Sequence, residues 1–184
     1  MLDRFDGDAL GGRVAGSANV SWSAEQAWNA RLAARDIDVR ALRPDLRGRV
    51  SVTATIEGQG YTPDSPWTAR LASLSGTIMG RSLTGRGEIS HRDGNFDLRG
   101  VRIANGRSHV DLDGRWGDTL DLRWSADLRA LSLLHPDLDG ELVSDGRAHG
   151  SASLPEVEGE LRIRRLVAAG ITVQSLDARL DVDA

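Results

Sequence analysis

From Leu120 to Ala130 every second residue is apolar: Leu120, Leu122, Trp124, Ala126, Leu128 and Ala130 alternate with Asp121, Arg123, Ser125, Asp127 and Arg129. Successive side chains of a β-strand point to opposite faces, so this run is a strand with one dry and one wet face. The same register recurs from end to end. Val14, Gly16, Ala18, Val20 and Trp22 form one apolar row, and Val50, Val52, Ala54 and Ile56 another. Val110, Leu112 and Trp116 follow, then Leu161 with Ile163, then Leu176, Ala178, Leu180 and Val182, each interleaved with polar or charged residues. About eleven such segments can be drawn, and punctuation such as Asp93-Gly94 and Asn105-Gly106 between them suits hairpin turns. The fold predicted is an all-β antiparallel meander.

One stretch competes with that reading. Residues 23 to 36 open with Ser23 and carry Gln26 three positions later, a capping box before good helix formers. Trp28, Ala30, Leu32 and Ala34 also alternate, and the flanking segments are strands, so a strand is expected here as well.

A half-buried sheet must pack its apolar side on something, yet no amphipathic helix is available to cover this one. Only 40% of residues are hydrophobic and 4% aromatic, so any core is aliphatic and thin. The sheet therefore either closes on itself or stays an open, curved trough. Arg alternates with Asp and Glu at a net charge of −4, which leaves no basic patch for nucleic acid. All 23 basic residues are Arg, read as the usage bias of a GC-rich bacterial genome, and the absence of Cys excludes disulfides and thiolate chemistry. No signal peptide or membrane-spanning run is found, so a targeting part is expected elsewhere in a longer protein.

Residues 42 to 48 read LRPDLRG and residues 134 to 140 read LHPDLDG. At the offset of 92 that aligns Pro44 with Pro136, Val39 also meets Leu131, Leu42 meets Leu134, Leu46 meets Leu138, Gly48 meets Gly140 and Gly58 meets Gly150. The chain reads as one continuous segment, 1–184, of a stacked array, with approximate units 28–119 and 120–184, the second incomplete, and 1–27 ending a preceding unit. His135-Pro136-Asp137 matches the J-domain signature, but a J-domain sets it between two helices and here it lies between two strands. It is a chance tripeptide inside a structural corner built on Leu42, Pro44, Leu46 and Gly48, and again on Leu134, Pro136, Leu138 and Gly140.

Long alternating strands joined by a recurring Leu-x-Pro-x-Leu-x-Gly corner resemble the TamB family, the inner-membrane-anchored subunit of the translocation and assembly module, and more broadly AsmA-like and bridge-like lipid transfer proteins. The resemblance implies an internal segment of a long periplasmic protein whose sheet folds lengthwise into an open apolar groove, a β-taco. Along that groove phospholipids would pass between the inner and outer membranes in support of outer-membrane biogenesis. It also implies a TamA-like outer-membrane barrel as partner of the full-length protein, contacted elsewhere than here. The groove floor would be Val14, Val20, Trp22, Val50, Val52 and Ile56, then Val110, Leu112, Trp116, Leu120, Leu122, Trp124 and Leu128, and finally Leu161, Ile163, Leu176 and Leu180. Phospholipid acyl chains would be the ligand, with fatty acid or detergent as stand-ins and no other cofactor.

The dimensions agree. Six alternate residues span eleven positions, about 33 Å of strand, against about 15 Å for one leaflet of hydrocarbon. Small residues on the dry rows, among them Gly16, Ala18, Gly85, Gly87 and Gly114, either leave room for a ligand or let the sheet bend.

No enzyme is read from this chain. His91, His109, His135 and His149 lack metal-ligand spacing, so no metal is assigned. Asp111 with Asp113, and Asp137 with Asp139, are alternating strand or turn acids with no cleft around them. The run from Asp137 fails the calcium-loop pattern, and Gly85-Arg86-Gly87 lacks the rest of a dinucleotide fingerprint. Two other functions compete with the lipid groove: a scaffold that templates strands of outer-membrane proteins at a sheet edge, and a membrane β-barrel. With one Tyr and two Phe there is no material for the barrel's aromatic girdles.

Overall fold

A computed structural model describes residues 2–22, 26–133, 135, 137–168 and 170–182. Among these, twelve strands follow one another: β1 (Leu2–Ala9), β2 (Gly12–Val20), β3 (Ala27–Asp38), β4 (Gly48–Gln59), β5 (Trp67–Ile78) and β6 (Arg81–Arg92). β7 (Asn95–Asn105), β8 (Ser108–Trp116), β9 (Thr119–Leu128), β10 (Asp139–Ser151), β11 (Leu154–Ala168) and β12 (Ile171–Val182) complete the sheet. Each strand pairs antiparallel with its sequence neighbours, and β1 does not meet β12, so the sheet is an open meander and not a barrel. The strand over residues 27–38 wins against the helix-forming composition of that stretch because both its edges are paired, by β2 and β4. Ser23 of the capping box lies outside the described residues.

The sequence expectation of about eleven strands becomes twelve. Of the segments added, β1 reads LDRFDGDA and offers only Leu2, Phe5 and Ala9 as large or apolar anchors, too few to show a period of two.

Solvent-accessible area separates a single open layer from a closed one. A compact protein of 19.8 kDa exposes about 8,600 Å², whereas this chain exposes 11959 Å². The excess is the uncovered sheet. Among the described residues no large side chain is fully buried.

Bulges bend the sheet. Ala34 and Ile37 flank one in β3, where Asp36 takes φ 53°; Leu71 and Leu74 flank one in β5; Leu98 and Val101 flank one in β7, where Gly100 takes φ 54°. Counted in paired rows, each lies one row further along than the last, so the bends step diagonally across the sheet. An extra residue on one strand kinks it and increases the local twist.

The corner repeats in structure as it does in sequence. After β3 the chain makes a 3-10 turn at Val39–Ala41, and after β9 another at Leu131–Leu133, again at an offset of 92. The hydrogen bonds repeat as well. Arg43 N donates to Val39 O at 2.8 Å and Leu46 N to Arg43 O at 3.0 Å; His135 N donates to Leu131 O at 3.3 Å and Leu138 N to His135 O at 3.1 Å. The strands on either side share one register too, because Ala27 faces Gln59 as Thr119 faces Ser151. Leu134 and Pro136 lie outside the described residues. The corner differs from a simple proline break between strands, since a 3-10 turn precedes it and Leu42, which caps that turn, is exposed. Gly48 begins β4 and Gly140 is the second residue of β10, each crowded by the neighbouring strand's backbone.

In a flat sheet six strand spacings would hold β4 and β10 about 29 Å apart. The Asp45 carboxyl nevertheless lies below its ordinary pKa, chiefly through the hydrogen bond from Arg43, with a smaller pull from His135 in the other corner. The most buried aliphatic side chains gather at this end: Leu131, Ile37, Leu83 and Val39.

One corner carboxylate gives a pH prediction. Asp38 accepts from Arg40 Nη2 at 2.7 Å and from Arg40 N at 3.0 Å, and these bonds lower its pKa to about 2. A folded-state pKa below the unfolded one means the stabilisation is fully present above about pH 3.9 and is lost as pH falls through about 2. Carboxyl-carbon NMR titration should find Asp38 near 2 in the wild type and well above it in Arg40→Gln.

Candidate functional site

Paired residues of an antiparallel sheet share a face, so the register alone traces the dry side across the molecule. One row runs Phe5, Gly16, Leu32, Ala54, Leu71 and Gly87, from β1 to β6. It continues past the β7 bulge through Val101, Leu112, Trp124, Gly146, Gly159 and Leu180. No charged residue interrupts it. The opposite face carries Asp6 with Arg13, Arg70 with Glu88, Asp97 with Arg115, Asp121 with Arg147 and Arg164 with Asp177, each a cross-strand ion pair. Hydrogen bonds from Arg70 to Glu88 and from Arg164 to Asp177 raise both guanidinium pKa values, so that face stays charged at any ordinary pH.

Sixteen of the seventeen floor residues expected from the sequence share this apolar face. They are Val14 and Val20 on β2, Val50, Val52 and Ile56 on β4, Val110, Leu112 and Trp116 on β8, Leu120, Leu122, Trp124 and Leu128 on β9, Leu161 and Ile163 on β11, and Leu176 and Leu180 on β12. Trp22 is the exception. It sits beyond the end of β2, 80% exposed, with its ring 5.7 Å from that of Tyr61.

What alternation did not find is the middle of the face. A concavity of about 370 Å³ is lined by Ala30, Leu32, Ala54, Ile56, Ala69, Leu71, Gly87, Ile89, Val101 and Ile103 together with Arg31, Thr55, Arg70 and Arg86, most of them on β5, β6 and β7. Leu71 and Leu74 are three apart, as are Leu98 and Val101, because a bulge sits inside each gap. A three-residue step between apolar residues with glycine on the neighbouring strand is the signal that could have located them.

The glycines on this face serve their neighbours. A Cβ at Gly16 would strike the Phe5 ring at 2.5 Å, one at Gly58 would strike Trp28 at 2.5 Å, and one at Gly146 would overlap Trp124. Each aromatic ring thus lies flat over a glycine of an adjacent strand, as in cross-strand aromatic rescue. The Trp28 Nε1 donates to Gly60 O at 2.9 Å and the Trp124 Nε1 to Ser144 Oγ at 3.0 Å, so neither indole leaves its polar atom unpaired.

The two ends of the trough differ. At one end sit the corners and the buried aliphatics; at the other, Trp67, His91, Phe96 and Trp116 occupy one paired row across β5 to β8. Their rings touch in sequence, with centroids 5.9 Å apart for Trp67 and His91, 4.8 Å for His91 and Phe96 and 6.4 Å for Phe96 and Trp116. Beside them a second concavity of about 480 Å³ is lined by Val20, Trp28, Tyr61, Pro63 and Trp67, and it shares Ala30 with the first.

Among the described residues no three His, Asp or Glu side chains converge on a metal-sized space, and no helix is long and apolar enough to cross a membrane. What the face offers a ligand is contact area and exclusion of water, the means by which proteins hold hydrocarbon.

Comparison with known proteins agrees with the geometry. No curated protein and no solved structure matches the chain. One protein family does, described as "TamB, N-terminal domain", and its model matches residues 1–184. The twelve-stranded open meander with a continuous apolar face therefore belongs to the TamB N-terminal domain family.

Proposed function

We propose that this chain is a stretch of a hydrophobic trough that holds phospholipid acyl chains and lets them move between inner and outer membranes, in support of outer-membrane biogenesis. The observation that carries the reading is the apolar face itself, twelve strands wide, unbroken by charge along its central row and, among the described residues, uncovered by any other element. Soluble monomers rarely expose contiguous apolar patches beyond about 300–600 Å² unless the patch binds something. Hydrocarbon is the occupant that best suits a row of Leu, Val, Ile and Trp with few polar partners. A trough open along its length also lets a lipid slide without being released, because each row of side chains resembles the next.

On this reading the working environment is the periplasm, the chain is one segment of an inner-membrane-anchored protein, and a TamA-like barrel is met by another part of it. The charged outer face keeps the segment in water while its inner face is filled. Gentle purification followed by lipid mass spectrometry tests the proposal. Phospholipid should co-purify at near-stoichiometric amounts and be lost on extraction with organic solvent; a protein that stays folded and carries no lipid or fatty acid would refute it.

A further inference from the structure

The aromatic end of the trough has a role of its own. Building on the lipid-trough reading, we infer that the row Trp67, His91, Phe96 and Trp116, with Trp28 and Tyr61 beside it, is the headgroup end of the bound amphiphile, which lies along the strands with its tails toward the corners and carries a zwitterionic, ammonium-bearing head.

Three observations fix that direction. The corner end is packed: Ile37, Val39, Leu83 and Leu131 are each less than a tenth exposed, whereas at the aromatic end His91 is as deeply buried but Trp116 is 60% exposed. The aromatic end is open, and its 480 Å³ concavity joins the inner 370 Å³ one at Ala30. From Phe96 to Ile103, which lines the inner concavity, is seven residues or at most about 23 Å, longer than the roughly 15 Å of hydrocarbon in one leaflet, so one lipid tail fits within it.

The aromatic residues also suit a polar border. Tyr61 Oη donates to Ser21 O at 2.8 Å and Trp28 Nε1 to Gly60 O, so their polar atoms are held at the rim backbone while their rings line the concavity. Such amphipathic rings favour the level where hydrocarbon gives way to water. Charge selects the head. Among the described residues, the turns at this end carry the exposed carboxylates Asp64, Asp93 and Asp118, and Arg92 ends the adjoining strand β6. An ammonium group gains from these carboxylates and from the ring faces, whereas a purely anionic head is repelled.

The test uses the intact wild-type chain, labelled at isoleucine methyls and indole nitrogens. It is loaded from vesicles of phosphatidylcholine bearing a nitroxide either on the choline head or near a chain terminus. The head label should broaden the Trp67 indole signal far more than the Ile103 methyl signal, and the chain label should do the reverse. Equal broadening at both positions, or the opposite order, overturns the orientation while leaving the trough standing. Broadening at neither position overturns the trough reading itself. Phosphatidylglycerol loaded in the same way should reach about a third of the phosphatidylcholine occupancy or less; equal loading overturns the headgroup preference.

Discussion

Gly114→Ala should destabilise the chain by about 3 kcal/mol or more in urea unfolding, a large part of the roughly 5–15 kcal/mol that holds a domain together. Gly114 has φ 126°, a conformation that L side chains avoid at a cost of about 1–3 kcal/mol. An added Cβ would also fall inside the Asp121 carbonyl oxygen of β9, so β8 and β9 would have to separate and give up ladder hydrogen bonds. That separation would open the apolar face between Leu112 and Leu122, in the middle of the row that defines it. Gly7→Ala is the matched control. Nothing lies within 4 Å of its added Cβ, and its substitution should change stability by no more than about 0.5 kcal/mol. A Gly114→Ala protein within about 1 kcal/mol of wild type would show that the β8–β9 approach is not constrained as described.

The contrast between those two glycines shows what sequence can and cannot say about this fold. Period two made the strands of residues 120–130 and 50–56 legible without any structure, because the first keeps an uninterrupted register with its neighbours and the register shifts beside the second come from extra residues on β3 and β5, not on β4 itself. The corner was legible through its second copy: residues 43 and 135 make the same backbone bonds, and each side chain also engages the Asp two positions on, Arg43 through its guanidinium to the Asp45 carboxylate and His135 through Nδ1, which accepts from Asp137 N. Which glycine tolerates a side chain was not legible. The answer depends on a carbonyl of the next strand, and that is fixed by register.

The same limit hid the centre of the candidate site. Leu71, Leu74, Leu98 and Val101 face the trough, yet the bulges between them break alternation where the sheet bends most. Bending and binding are thus coupled, since the residues that curl the sheet are those that make its face concave. Trp22 shows the opposite failure. Its parity matches the β2 row, but β2 ends at Val20, and beyond the last pair a side chain is no longer bound to a face.

Of the small residues expected on the dry rows, Gly16 resolves differently from either reading, and Gly58 and Gly146 behave as it does. Gly16, Gly58 and Gly146 neither stand empty for ligand nor serve only as bends; they accommodate rings from adjacent strands. The effect is a floor of low relief, with Trp124 lying across Gly146 and near Gly159 instead of standing up into the trough. A low floor suits a ligand that slides. A deep pocket would hold one lipid in one place.

The central claim is that one face of this sheet meets lipid and the other meets water, and Leu122 with Arg123 tests it at adjacent residues. Leu122 pairs with Gly114 and Ala148 on the apolar face, while Arg123 pairs with Asp113 and Arg147 on the charged one. With a photoreactive benzoylphenylalanine placed at either position of the full-length protein in cells, irradiation should attach phospholipid at 122 and not at 123. The difference should be close to all-or-none, since the two side chains are separated by the sheet itself. Lipid adducts of equal yield at both positions, or at neither while the protein remains folded, would contradict it.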